Sequence, residues 1–229
     1  MKNIIIILLL GAHQIGLSQV VKIPDSNLKE RLIALGFDLN SDREIQEHEA
    51  QQVTKLYVDN LNIVNMQGIN SFTNLEELAV NDNKITSLDV SALKQLKYLY
   101  AQNNRIEKLN LGRLIHLEHL YIQNNFLLST LIVTGFNNLK EIFVSNNKIN
   151  RLDLTNLQHL EQIEAENNKL EIVVLNNNSK IKSINLRNNP GLESIDIRGL
   201  AELEFFDATG CNIKMINFSG TMSLRNYKW

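Results

Sequence analysis

The feature that most constrains the fold is a unit of 21 or 22 residues that recurs from residue 53 to the end of the printed sequence. Each unit carries apolar residues at positions 1, 4 and 6, usually another at position 11, and in most copies an asparagine at position 9. The units begin at Val53, Leu75, Leu96, Leu117, Leu139, Leu160, Ile181, Leu203 and Leu224. One unit cannot bury its own apolar side chains, whereas stacked copies share a continuous core. The repeat therefore predicts that the units stack.

The ninth column is polar in the middle of an apolar pattern. It reads Asn83, Asn104, Asn125, Asn147, Asn168, Asn189 and Cys211. An asparagine amide can donate to and accept from backbone groups of neighbouring turns, which satisfies chain that no helix or strand covers. We interpret the column as a structural ladder, with Cys211 as a buried structural thiol.

These columns resemble the leucine-rich repeat family, in particular its secreted bacterial, internalin-like branch, over residues 53–229. The resemblance implies a leucine-rich repeat solenoid whose concave side is a parallel β-sheet of about eight or nine rungs. On the convex side, apolar and polar residues alternate in segments such as "SLDV" at 87–90 and "RLDL" at 151–154. Alternation predicts short extended or irregular segments there rather than helices.

Residues 1–19 have the layout of a secretory signal peptide. Lys2 is followed by an apolar run at 4–10 and then by a more polar stretch, and the run is too short to span a bilayer. No later apolar run approaches membrane length, so we expect no transmembrane segment. Taken with the resemblance, this layout predicts a protein that is secreted or held at the cell surface of a Gram-negative bacterium.

Residues 20–52 differ in composition from the repeats at 53–229, and we interpret them as a small helical N-terminal cap that shields the first rung. A helix is expected to start at Asp25 or Ser26 and to stop near Gly36. Its predicted apolar stripe consists of Leu28, Leu32 and Leu35.

The cap also contains "DLNSDREIQEHE", residues 38–49, which is similar to an EF-hand calcium loop. Oxygen-bearing residues stand at the spacing by which such loops collect a hard cation. The loop departs from the motif at Arg43, where a glycine is expected. The candidate calcium ligands are Asp38, Asn40, Asp42, Glu44 and Glu49. The alternative is a polar capping turn without an ion, and we expect no other cofactor.

Composition excludes several classes of function. A formal net charge of −2 over 229 residues gives no reason to expect nucleic acid as a partner. Cys211 is the single cysteine, so no intrachain disulfide framework exists. We find no phosphate-binding glycine loop, paired-cysteine metal motif or serine nucleophile elbow, and therefore expect no enzymatic activity.

Positions 3, 5 and 7 of each unit should point away from the core, and aromatic residues cluster there on three adjacent rungs. The predicted partner-binding residues are Tyr98, Tyr100, His119, Tyr121, Gln123 and Phe143. Tyrosine offers a large contact area with a polar tip, which suits recognition. The alternative is that the rings only pack as a ladder that stabilises the sheet.

These observations together favour a non-catalytic module that mediates protein–protein binding or adhesion. Its partner is an unidentified protein that contacts the concave face. A carbohydrate-binding surface module is one alternative, because tyrosines also stack on sugar rings. A structural envelope component without a specific ligand is the other.

Overall fold

The computed structural model describes residues 19–229, so the predicted signal peptide lies, except for its last residue, outside the described residues. The repeats fold as fifteen three-residue strands. In chain order these are β1 (Lys55–Tyr57), β2 (Glu77–Ala79), β3 (Ser87–Asp89), β4 (Tyr98–Tyr100), β5 (Lys108–Asn110), β6 (His119–Tyr121), β7 (Glu141–Phe143), β8 (Arg151–Asp153), β9 (Gln162–Glu164), β10 (Ile172–Val174), β11 (Ser183–Asn185), β12 (Ser194–Asp196), β13 (Phe205–Asp207), β14 (Met215–Asn217) and β15 (Asn226–Lys228).

Nine of these strands form one parallel sheet, the long sheet, in the order β1, β2, β4, β6, β7, β9, β11, β13, β15. The strands pair in register, so that Leu99 lies opposite Leu120 and Tyr100 opposite Tyr121. Within the long sheet, the middle residue of each strand from β1 to β13 is fully buried, as Leu99 and Leu120 illustrate. The solenoid and the repeat register predicted from the sequence are therefore confirmed.

The opposite side carries three two-stranded parallel ladders, β3 with β5, β8 with β10, and β12 with β14. These strands confirm the expected short extended segments. Most units have Asp or Asn at the third residue of the strand, and its side chain accepts the backbone N–H two residues later, as Asp89 does from Ser91 at 2.9 Å. The fourth unit has Ile132 in that column, 71% exposed, and its residues 129–134 form no strand. Val174 in β10 also lacks this carboxylate or amide, so the missing side chain alone does not explain why residues 129–134 form no strand.

The asparagine ladder connects neighbouring units through both ends of each amide. The nitrogen of Asn125 donates to the Ala101 carbonyl in the preceding rung at 3.0 Å. Its oxygen accepts the Ile106 backbone N–H of the preceding unit, also at 3.0 Å. The other buried asparagines of this column repeat the first contact.

The ladder changes after the fourth and seventh units, the lengthened repeats, which each have one extra residue between the ninth-position asparagine and the next buried leucine. Asn147 follows "NNFLLSTL", and its Oδ1 is buried without a hydrogen-bond partner among the described residues. The donor is missing because the Leu128 N–H bonds instead to the Asn125 carbonyl of its own unit at 2.9 Å. Cys211 follows the second lengthened repeat, and its thiol donates to the Leu186 carbonyl at 3.1 Å without needing a donor in return. The thiol is half-buried rather than buried as expected, and this burial raises its pKa.

A second ladder of polar side chains runs beside the first, one residue earlier in each unit. It links Asp82, Asn103, Asn124, Asn146, Asn167 and Asn188 by side-chain hydrogen bonds of 2.6 to 2.8 Å. All six residues have φ between 54° and 60°, a left-handed conformation that Asn and Asp tolerate better than most side chains. Gly210 takes the same column in the next unit, with φ of 82°. The doublet "NN" therefore serves two structural tasks in each repeat.

The N-terminal cap contains α1 (Ser26–Ala34) and the short α2 (Glu47–Ala50), and a 3-10 turn at Ile69–Ser71 follows the first strand. Asp25 caps α1 through the Leu28 N–H at 3.1 Å, and its other oxygen accepts the Val64 N–H of the first repeat at 2.8 Å. One side chain thereby starts the helix and fixes it to the solenoid. Leu28 and Leu32 are buried as expected, but Leu35 is 37% exposed. In residues 19–229 no helix has the length and apolarity needed to cross a membrane.

Candidate binding face

The five rings of the aromatic patch, Tyr98, Tyr100, His119, Tyr121 and Phe143, pack on one another across β4, β6 and β7. Tyr98 stacks on His119 with ring centroids 4.8 Å apart, and Tyr100 stacks on Tyr121 at 5.1 Å. Phe143 meets Tyr121 edge to face at 4.7 Å. All five side chains are half-buried, so the rings form one continuous surface in which neighbours support each other.

Glu141, which was not among the predicted contact residues, also belongs to this surface. Its Oε2 accepts a hydrogen bond from the Tyr121 hydroxyl and lies 3.0 Å from Nδ1 of His119. Burial, together with the bond to Glu141, raises the pKa of Tyr121 well above its ordinary value. The Tyr121 hydroxyl thus stays protonated and its tip is fixed. The repeat register could have predicted this contact, because His119 and Glu141 occupy the third position on adjacent rungs and lie opposite each other.

Gln123 borders the patch without joining its stacking. Its Oε1, like that of Gln102 one rung earlier, is buried and accepts no hydrogen bond from the part of the chain that the structure describes. The predicted site residues therefore divide into five that form one packed cluster and Gln123 at its margin.

The long sheet becomes acidic on its outward side beyond Phe143. Glu164 and Glu166 both accept hydrogen bonds from the amide of Asn185, at 2.8 and 3.1 Å. Arg187 is the nearby cation, and it pairs with Asp207 at 3.8 Å. The face thus has an aromatic part and an acidic part that meet at Phe143.

An alternating charge ladder borders the face at the residue before each strand. This column reads Glu76, Lys97, Glu118, Lys140, Glu161, Lys182, Glu204 and Arg225. The first three pairs form ion pairs with N–O distances of 2.8, 2.6 and 2.7 Å. Opposite charges on adjacent rungs favour the observed stacking, and each lysine holds the pKa of its partner carboxyl below the usual range. This alternation was not among the features predicted from the sequence, although it is visible when the second column is read alone.

The loop proposed for calcium is held by its own hydrogen bonds. The Asp38 carboxylate accepts the Arg43 N–H at 2.9 Å, and Arg43 adopts a left-handed φ of 65°. The two oxygens of Glu49 accept the Leu39 and Gln46 N–H groups, both at 2.8 Å. No group of three His, Cys, Asp or Glu residues in the described range is placed to hold a metal ion.

In this arrangement the loop serves as a capping turn between the two helices. Glu44, another candidate ligand, is paired with Lys29 at 2.7 Å. Calcium binding there stays a prediction, and it requires that Glu49 give up its capping bonds.

Comparison with known sequences supports the repeat assignment. A family model described as Leucine Rich Repeat matches residues 116–139, which include the whole fourth unit. Comparison with curated proteins gives no match.

Solved structures provide the wider comparison. Internalin C2 from Listeria monocytogenes is 19% identical with a TM-score of 0.64, and the match covers 89% of this chain and 93% of that one. A chain of the LRIM1/APL1C complex is 20% identical with a TM-score of 0.55, covering 89% of this chain and 46% of that one. The functional domain of InlJ from Listeria monocytogenes is 20% identical with a TM-score of 0.47 over 92% of this chain. The chain spans 61% of the length of that InlJ structure.

At these identities the likeness concerns the fold. It agrees with the nine-stranded parallel sheet, the 21- or 22-residue period and the asparagine ladder, all of which are present in the structure. Such solenoids present extended surfaces and typically serve as interaction modules. The chain thus has a leucine-rich repeat solenoid fold like that of internalin C2, and its residues 116–139 match the Leucine Rich Repeat model.

Proposed function

We propose that this protein is an exported, non-catalytic module that binds a protein partner through the outward face of its long sheet. The observation that carries the proposal is the aromatic patch, in which half-exposed rings from three adjacent strands form one surface. Rings held by their neighbours lose little freedom on binding, so their contact area is available at low entropic cost. The contact residues are Tyr98, Tyr100, His119, Tyr121, Gln123 and Phe143, to which we add Glu141.

The ring geometry favours a protein over a carbohydrate. A sugar ring stacks on the open face of an aromatic ring. Tyr121 stacks on Tyr100 and meets Phe143 edge to face, so it is already in contact with a ring on each adjacent rung. Ring edges and a fixed hydroxyl remain for contact, which suits the mixed polar and apolar surface of a protein. The LRIM1/APL1C complex is a case in which a protein with a similar fold is seen in an assembly.

Loss of the central tyrosines tests the site. The double variant Tyr100→Ala plus Tyr121→Ala should fail to capture the partner that the wild-type protein retains from a surface extract of the source cells. Tyr57→Ala is the matched control, because Tyr57 occupies the same column but is separated from the patch by Ala79. Thermal melting of each variant verifies folding. If the double variant captured the partner as the wild type does, the proposed site would be wrong.

Export is tested separately at the N-terminus. Signal-peptide cleavage near residue 19 should release a mature chain outside the cytoplasm. N-terminal sequencing of the protein from the culture medium or cell envelope checks this, and an intact Met1 on the exported protein would contradict it.

A further inference from the structure

The charges beside the aromatic patch narrow the chemistry of the partner, given the proposed function. Five rungs, from β2 to β9, provide fifteen outward positions on the face. These positions hold no lysine or arginine. They hold four carboxylates, Glu77, Glu141, Glu164 and Glu166.

The cations that border this area are already engaged. Lys55 on the first rung pairs with Glu77 at 3.1 Å, and Arg187 on the seventh pairs with Asp207. Lys97 and Lys140 belong to the charge ladder at the edge of the strands, where each has a glutamate partner. No described lysine or arginine forms an ion pair with the three glutamates nearest Phe143.

Those glutamates are satisfied by neutral or weakly basic groups. Glu164 and Glu166 share the amide of Asn185, and their further donors are the amides of Gln162 at 3.2 Å and Asn167 at 3.1 Å. An amide fills a hydrogen-bonding site but leaves the negative charge in place. A guanidinium or ammonium group would supply both the donors and the opposite charge.

Phe143 places an apolar surface among these charges. It shares β7 with Glu141 and lies directly opposite Glu164 on β9. Long basic side chains extend their methylene stems along apolar surface and keep the charged head among polar groups. An aromatic ring beside carboxylates is also favourable for a cation that approaches the ring.

We infer that the partner presents a positively charged protein segment to this face. Its arginine or lysine side chains lie along Phe143 and reach Glu141, Glu164 and Glu166. Its apolar side chains contact Tyr98 and Tyr100. The inference rests on the proposed function, since it assigns the chemistry of the partner at that same site.

Selection of random 12-residue peptides displayed on phage, with the purified protein as target, tests this chemistry. Peptides that bind through the face should carry about twice the arginine and lysine content of the unselected library. The double variant Glu164→Gln plus Glu166→Gln should bind them roughly tenfold more weakly, and rising salt should weaken wild-type binding. The control is Glu107→Gln plus Glu202→Gln, which removes two exposed carboxylates elsewhere and should bind as the wild type does.

Two outcomes separate the inference from the proposed function. Selected peptides that need Tyr100 and Tyr121 but show no excess of basic residues, and bind the Glu164 and Glu166 variant normally, would overturn the cationic partner and leave the site standing. Selected peptides that bind equally well to the Tyr100→Ala plus Tyr121→Ala variant would overturn the site, and the inference with it. Circular dichroism melting of each variant excludes unfolding as the cause of lost binding.

Discussion

At the scale of single residues, one backbone N–H decides whether asparagine suits the ninth position. Asn168 receives the Ile149 N–H at 3.0 Å, but Asn147 follows a lengthened repeat and receives no such donor. A buried amide oxygen without a donor loses its hydration and gains nothing in return. Cysteine needs no donor, which gives Cys211 a physical reason to follow the other lengthened repeat.

The first prediction compares two substitutions of ladder asparagines. Asn147→Cys and Asn168→Cys both remove amide donors, but only the second leaves a buried backbone N–H, that of Ile149, without its acceptor. We expect Asn168→Cys to be the more destabilising by about 1–2 kcal/mol in the free energy of unfolding. Urea denaturation of both variants measures the difference, and equal losses would contradict this account of the ladder.

The second prediction concerns the hydroxyl of Tyr121. Burial and its bond to Glu141 raise its pKa, so in a spectrophotometric titration Tyr121 should be the last tyrosine to ionise, after Tyr57 and Tyr100, whose pKa values burial also raises. Glu141→Gln should bring this pKa down only in part, because burial is the larger cause. The late transition should vanish in Tyr121→Phe. If it persisted there, it would belong to another tyrosine.

At the scale of elements, the long sheet is stabilised by residues of alternating charge that stand immediately before each of its strands. Parallel strands in register place equivalent residues side by side, so a uniform column of glutamates would repel itself. The alternation places Lys140 between Glu118 and Glu161, and the observed pair is with Glu118. Each exposed pair contributes little, but the column extends over eight rungs.

The third prediction is that Lys140→Glu destabilises the protein by about 1 kcal/mol at low salt, because it places three glutamates in adjacent positions. The loss should shrink at high salt, where exposed charges are screened. Lys148→Glu is the matched control, as an exposed lysine outside the ladder. Equal effects of the two reversals in urea denaturation, or a loss insensitive to salt, would show that the ladder does not act as described.

The sequence predicts those features that depend on the apolar pattern alone, and it does not predict those that depend on side-chain rotamers. The strands and their register follow from the apolar columns, since burial of Leu99 and Leu120 needs only the period. The contact of Tyr121 with Glu141 depends on the rotamers of two side chains on adjacent rungs. The aligned repeat sequence does not specify those rotamers. The break at 129–134 could not be predicted from the column of Asp and Asn, because Val174 interrupts that column as Ile132 does and yet lies in a strand.

At the scale of the whole molecule, stability depends on carboxylates repeated along the stack. Lys140 lowers the pKa of Glu118, Lys182 that of Glu161, and Thr155 that of Asp153. A carboxyl whose pKa is lower in the folded state stabilises the fold above its unfolded pKa. That contribution is lost as pH falls through the folded pKa.

The fourth prediction concerns the dependence of stability on pH, and it follows from the lowered pKa values of these carboxyl groups. The free energy of unfolding should be nearly constant from pH 7 to about pH 5 and should fall steeply below the ordinary glutamate value of 4.5. Glu118→Gln and Asp153→Asn should each flatten the acid side of the curve. Urea midpoints at pH 7, 5 and 3 check it, and stability that rises on acidification would contradict the assignment.

The central claim is that the aromatic patch is the surface that meets the partner, and hydroxyl-radical footprinting of the complex tests it most directly. With the captured partner bound, oxidation of Tyr98, Tyr100, Tyr121 and Phe143 should decrease severalfold, whereas Tyr57 and Phe205 on the same sheet should react as in the free protein. Unchanged oxidation of the patch in the presence of the bound partner would contradict the account.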